Sequence, residues 1–434
     1  MRNALTVAVA LGTVIFAAWW FDPLKVFWKK PIVEVVAENP EEIRKSPPVE
    51  PASEDWPWWR GPARNAIAAG EAPPSKWSKD ENVLWQAAVP GRGHSSPIVV
   101  GNKVFVTSAD ETAETMSLYA FERHTGKQLW ATEIHKGGFL GMHTKNSQAS
   151  ATPACDGERV FTAFAVQDGV WVTAVDLEGK IVWQEKAGPF VARHGYGSSP
   201  VVYRSLVIVS GDNFGPGYVT AFDRKSGKMV WRKARNTGDS YGTPIVAAVA
   251  GREQLLLSGQ NSVHSYDPAS GDVLWKVAGP ADVTANTVAF DGERVFASGG
   301  YPQRAIQCLD GKDGKQAWDK REKVYVTSML AHDGKLFVVE DGGRAYCYDA
   351  GTGAEVWHDN LHASFSASPV QAGDYIFVPS EDGKTIVIQT KPEYKVVAAN
   401  KLGEADEGYF ATPTICGGRI YLRSLQNLYC IGAK

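Results

Sequence analysis

The sequence predicts an all-β fold: an eight-bladed β-propeller of four-stranded antiparallel blades, closed by an N-terminal strand and preceded by one N-terminal transmembrane helix. Three observations carry this. Gly-x-x-x-Trp recurs as Gly126…Trp130, Gly179…Trp183, Gly227…Trp231, Gly271…Trp275, Gly314…Trp318 and Gly353…Trp357, with the tryptophans 53, 48, 44, 43 and 39 residues apart. That period suits one four-stranded blade. An acidic residue (Glu122, Asp223, Asp267, Asp310 or Asp349) stands four places before five of these glycines, and Asp176 stands three before Gly179. Between the tryptophans, short Val/Ile/Tyr/Phe runs are separated by Gly turns, as in Lys103-Val104-Phe105-Val106, which is strand and not helix chemistry.

Taken in order, the apolar run Ala4–Phe21 is long enough to cross a bilayer core as a helix, at about 1.5 Å per residue. Trp19, Trp20 and Phe21 form an interfacial belt with Lys25, Lys29 and Lys30 beyond it. A secretory signal is the rival, but Phe16 spoils the cleavage site behind Ala18, so an uncleaved anchor is expected for residues 1–30. No cysteine follows the run, so lipid attachment is not expected. Residues 31–55, rich in Pro and Glu, read as an extended acidic spacer. Residues 56–81, opening Trp56-Pro57-Trp58-Trp59-Arg60-Gly61-Pro62, read as a Trp-rich lid packed on the repeats, which fill 82–434.

Six units begin with a proline after small residues (Pro97, Pro153, Pro200, Pro244, Pro369 and Pro413), and two have Val288 and Met329 at that place. The seventh unit is degenerate, with Ala398 where tryptophan belongs. The eighth stops after three strands, and its fourth is expected from Asn82-Val83-Leu84-Trp85-Gln86. Joining the two ends leaves no open sheet edge between first and last blade. Trp85, Trp130, Trp183, Trp231, Trp275, Trp318 and Trp357 are therefore expected as blade anchors.

The Asp, Thr-Gly-Lys and Trp pattern, seen at Arg123-His124-Thr125-Gly126-Lys127 and Trp130, resembles the PQQ-like β-propeller repeat family over about residues 82–434. The blocks from Trp56 through Pro62 and from Gly91 through Pro97 resemble a bacterial envelope subgroup of that family. The resemblance implies one of two roles: a BamB-like scaffold without catalysis, or a quinoprotein dehydrogenase using PQQ with Ca²⁺. The dehydrogenases usually carry adjacent cysteines over the cofactor, and this chain has no Cys-Cys pair and no haem motif. A membrane-anchored, non-enzymatic scaffold of the cell envelope is therefore the leading expectation, on the exported, periplasmic side and with protein partners.

Further classes recede on composition. A net charge of −3 offers no basic excess for nucleic acid. Five cysteines without Cys-x-x-Cys read as small core residues. Gly-x-Ser-x-Gly and the phosphate-binding Gly-x-x-x-x-Gly-Lys-Ser/Thr are absent, and no catalytic or metal-binding residues are expected. Six of nine histidines lie in connections between blades: His94, His135, His143, His194, His358 and His362. Such connections converge on one channel mouth. Arg92, His94, His143, Arg193, His194 and Tyr196 are therefore the candidate ligand- or partner-binding residues.

Overall fold

The computed structural model describes residues 31–191, 193–402 and 407–433. The strands form eight sheets arranged as blades, seven of them four-stranded and antiparallel; the sheet of blade 7 is five-stranded, because Ile67–Ala68 from the Trp-rich segment adds to Val370–Ala372 in parallel. In blade 1 the order runs outwards from Ile98–Val100 through Lys103–Asp110 and Thr115–Glu122 to Gln128–Lys136. Blade 8 joins the two ends of the domain. Thr414–Cys416, Arg419–Arg423 and Asn427–Gly432 come from the C-terminal end, and Val83–Ala88 pairs antiparallel to the last, with Trp85 opposite Cys430. The apolar run at residues 4–21 lies outside the described residues, among which no helix is long and apolar enough to cross a membrane.

The recurrent glycine and tryptophan make one head-to-tail joint. Six of the seven indole N–H groups reach a carbonyl of the following blade: Trp85 to Arg123, Trp130 to Leu177, Trp183 to Arg224, Trp231 to Pro268, Trp275 to Gly311 and Trp318 to Ala350, at 2.9–3.3 Å; the seventh, Trp357, faces the degenerate blade and stacks on Tyr394 instead. The same ring covers the next blade's turn glycine. A Cβ on Gly126 would lie 2.5 Å from the Trp85 ring, and one on Gly271 2.7 Å from Trp231. Both glycines also have φ near +70°, so position and conformation each exclude a side chain. The acidic residue completes the turn: Asp223 accepts the Ser226 amide at 2.8 Å, and Asp349 that of Thr352 at 3.1 Å.

Beneath each indole, the third strand supplies a small residue. Ala120, Ala174, Ala221 and Ser265 stand opposite Trp130, Trp183, Trp231 and Trp275; Cys308, Cys347 and Cys430 do so opposite Trp318, Trp357 and Trp85. The cysteines are therefore spacers that let the indole lie flat. All five are buried free thiols, and burial pushes Cys308 and Cys430 up to about 12, away from thiolate reactivity.

The degenerate seventh blade reverses this pairing, with Val387 opposite Ala398. Its missing ring comes from outside the repeat. Trp77, buried and stacked on Phe377 at 6.1 Å, takes the place that the blade's own tryptophan has in blades 1, 2, 5 and 6, where it packs on Phe105, Phe161, Phe296 or Phe337. Asn400 fixes it by accepting the Trp77 amide at 3.1 Å.

Residues 31–55 differ from the expected free spacer. Val35 pairs antiparallel with Arg232 on the outer edge of blade 3. Asn39 caps a short helix, Pro40–Lys45, that presses Ile43 into the groove at Val230, Trp231 and Ala269, and Arg44 pairs with Asp267 of blade 4. Proline at the first helical position and an Asn cap are helix-starting signals that the Pro/Glu-rich composition conceals.

Replacing a buried tryptophan by alanine typically costs about 3–5 kcal/mol. Trp231→Ala and Trp77→Ala are both expected to lower the thermal midpoint by several degrees, while Leu129→Ala, on the exposed outer face, leaves it unchanged. Differential scanning calorimetry of the three variants checks this; an unchanged midpoint in Trp77→Ala removes its role as the seventh blade's ring.

Candidate functional site

The residues just before each blade's first strand surround a central cavity of about 1160 Å³. Its lower end is crossed by the Trp-rich segment, which touches first strands, or the residues leading into them, in six blades. Trp56 pairs with Val99, the Cys155 amide donates to the Pro57 carbonyl at 2.8 Å, and Arg64 donates to the Val202 carbonyl. Further along, Trp59 Nε1 donates to Thr287 Oγ1 at 2.9 Å, Arg60 to the Met329 carbonyl at 2.6 Å, and the Gln371 amide to the Ala66 carbonyl at 2.9 Å. Trp56 and Trp58 are buried, whereas Trp59 borders the cavity. This segment is a plug.

Above it lies a ring of hydroxyls, one from each blade. The Ser96 amide donates to Thr152 Oγ1, the Thr152 amide to Ser199 Oγ and the Ser199 amide to Thr243 Oγ1, each at 3.0 Å. On the other side, the Thr287, Ser328 and Ser368 amides donate to Ser328 Oγ, Ser368 Oγ and Thr412 Oγ1 at 2.9–3.1 Å. The Trp59 indole holds the Thr287 oxygen, and Ser96 Oγ has no hydrogen-bond partner among the described residues. All eight residues are at most 6% exposed and line the cavity. The signal was present in the sequence, since each stands directly before a unit's proline or its Val288 or Met329 counterpart.

Of the candidate residues, His94, His143, Arg193 and His194 border the cavity. His143 and His194 meet edge to face with ring centres 5.8 Å apart, and Arg193 lies 5.1 Å over the Phe214 ring. Arg92 is not among the lining residues. It donates to the Thr144 carbonyl at 2.6 Å and pairs with Glu111 at 3.6 Å, fastening the loop behind the mouth. Tyr196 is in the core, its hydroxyl on the Ser210 carbonyl at 3.1 Å and its ring edge-on to Phe190. Periodicity alone does not tell a loop tyrosine that faces the channel from one that turns inward.

Unforeseen residues contribute as much. Asp239 is buried and accepts the Tyr241 hydroxyl at 3.0 Å, and desolvation raises its carboxyl to about 6. Burial likewise raises Asp341, which accepts the Val326 amide. Lys145 spans the mouth to Glu381 at 2.7 Å, tying the blade 1–2 connection to blade 7. Tyr325, Phe365 and Phe410 add aromatic wall.

His94 stacks on Phe410 with ring centres 4.6 Å apart, and burial, aided by Arg92 and Arg423, lowers it from 6.5 to about 3. The sign follows from linkage. The unfolded imidazole takes up a proton near 6.5 and the folded one does not, so His94 costs nothing above 6.5 and stability falls as pH drops from there towards about 3. Asp239 has the opposite sign, losing stability as pH rises from the ordinary carboxylate value towards about 6. His94→Phe keeps the stack and is expected to flatten the acid limb of unfolding free energy between pH 6.5 and 3. An identical slope in wild type and variant, measured by urea titration, assigns that limb to other groups.

With this geometry in place, comparison with known proteins shows where the chain belongs. The family described as outer membrane protein assembly factor BamB matches residues 66–213, 215–332 and 323–392. Outer membrane protein assembly factor BamB of Burkholderia pseudomallei is 26% identical over 350 residues, covering 74% of this chain and 82% of that protein. A polyvinylalcohol dehydrogenase of a Pseudomonas species is 22% identical over 527 residues, covering 92% and 77%. The crystal structure of BamB from Moraxella catarrhalis superposes with a TM-score of 0.60 at 14% identity, over 81% of this chain and 97% of that one. The chain belongs to the BamB family of PQQ-like β-propellers.

Proposed function

We propose that this protein is a non-enzymatic, membrane-anchored scaffold of the bacterial cell envelope, its propeller on the exported side and holding protein partners in a BamB-like role. The observation that carries this reading is the family match over residues 66–392, which spans most of the ring. It is supported by the spread of the cavity's carboxylates. Asp239, Asp282, Asp341 and Glu381 come from separate loops of the cavity wall. The channel mouth, with His94, His143, Arg193 and His194, is the partner-facing surface in this reading.

The runner-up is a quinoprotein oxidoreductase, favoured by the dehydrogenase relative that covers nearly the whole chain. PQQ with Ca²⁺ would need several oxygen ligands gathered on one ion. Among the described residues no group of three or more His, Cys, Asp or Glu is placed to hold a metal, and no cysteine borders the cavity.

Photo-cross-linking from the mouth in envelope membranes is expected to capture one defined protein partner and to lose it when His143 and Arg193 are replaced by alanine. Recovery of monomer alone overturns the scaffold. Stoichiometric uptake of PQQ with Ca²⁺, together with dye-linked alcohol oxidation, establishes the enzyme instead.

A further inference from the structure

The hydroxyl ring does more than join blades. Six of its oxygens accept a neighbouring blade's amide and Thr287 accepts the Trp59 indole, yet none of the seven passes its own proton to another described residue. A hydroxyl has one proton and two lone pairs, so each of the seven retains one donor and one acceptor, and Ser96 retains all of its capacity. These residues line the cavity with their side chains almost wholly covered, Ser96 Oγ included, and hydrogen-bonding capacity left unused in such a place is costly.

Charge around the ring selects among ligands. Arg193, Lys145 and Lys323 face Asp239, Asp282, Asp341 and Glu381 across the same space. A multiply charged anion meets the carboxylates and a cation meets the basic groups, so a neutral ligand encounters the least repulsion. An extended peptide offers single donors and acceptors spaced along a backbone, which matches a strand edge better than a closed ring of groups that each do both. Adjacent hydroxyls on a sugar do match, and the apolar C–H face of a pyranose packs on flat rings such as Trp59, Tyr241, Tyr325 and Phe410. At about 1160 Å³ the cavity exceeds the usual 300–1000 Å³ of small-molecule sites, leaving room for several linked units.

We propose that the central cavity is a binding site for a neutral, polyhydroxylated ligand, an oligosaccharide whose end sits on Trp59 within the ring of eight hydroxyls. This goes beyond the scaffold reading, which places a protein partner at the mouth.

The test is calorimetric titration of the full chain with maltotetraose, cellotetraose and chitotetraose, each repeated on Ser96→Ala and Trp59→Phe. Ser96→Ala breaks no bond within the protein, because Ser96 Oγ has none, so its thermal midpoint should equal the wild type's. Saturable one-to-one binding of at least one sugar is expected, weakened about fivefold or more in both variants, the range of one lost hydrogen bond or ring contact. Absence of saturable heat with all three sugars overturns the proposal. So does binding of equal strength in both variants. PQQ or a tetra-alanine peptide binding where no sugar does also overturns it, and assigns the cavity to that class instead.

Discussion

The fold depends on one contact made repeatedly: a tryptophan at the outer edge of one blade laid over the turn glycine of the next. The indole N–H on the neighbour's carbonyl fixes direction, and the missing Cβ fixes distance. A blade can bury only part of its apolar surface against its own strands, so a ring of blades is stable only if each interface is closed. Here the residues that shape a blade's turn are also those that receive its neighbour. This explains why glycine and tryptophan recur together, and why three cysteines recur with them as flat, small residues below the ring.

The architecture was legible because this contact is local in sequence. Gly126 and Trp130 are four residues apart, and their copies keep that spacing although each glycine serves a different tryptophan. Closure by Trp85 could be read from the same motif. Trp77 could not, since its partner Phe377 lies 300 residues away and nothing in residues 56–81 repeats. The docking of residues 31–55 is hidden for a related reason. Its composition is that of a linker, and the apolar residues that dock it, Ile32, Ala37, Ile43 and Val49, are scattered without a period.

The site divided along similar lines. Connections between blades are positioned by the repeat, and the four of the six candidates that line the cavity, His94, His143, Arg193 and His194, all lie in such connections. Which way a loop side chain turns is decided by packing; hence Tyr196 went inward and Arg92 fastened a neighbouring loop. The hydroxyl ring was hidden by its ordinariness. A serine or threonine at the start of a unit, six of them before a proline, attracts notice only when all eight meet around one axis.

Closure through Val83–Ala88 has a consequence for how the protein is made. That strand is among the first parts of the domain to emerge and its partner, Asn427–Gly432, is nearly the last. Until Asn427–Gly432 has been made, blade 8 lacks a strand and the chain carries two open strand edges, the surfaces on which nascent β-proteins aggregate or exchange segments. The ring therefore has a built-in completeness check: a truncated copy lacks its clasp, leaving Trp85 without Cys430 beneath it.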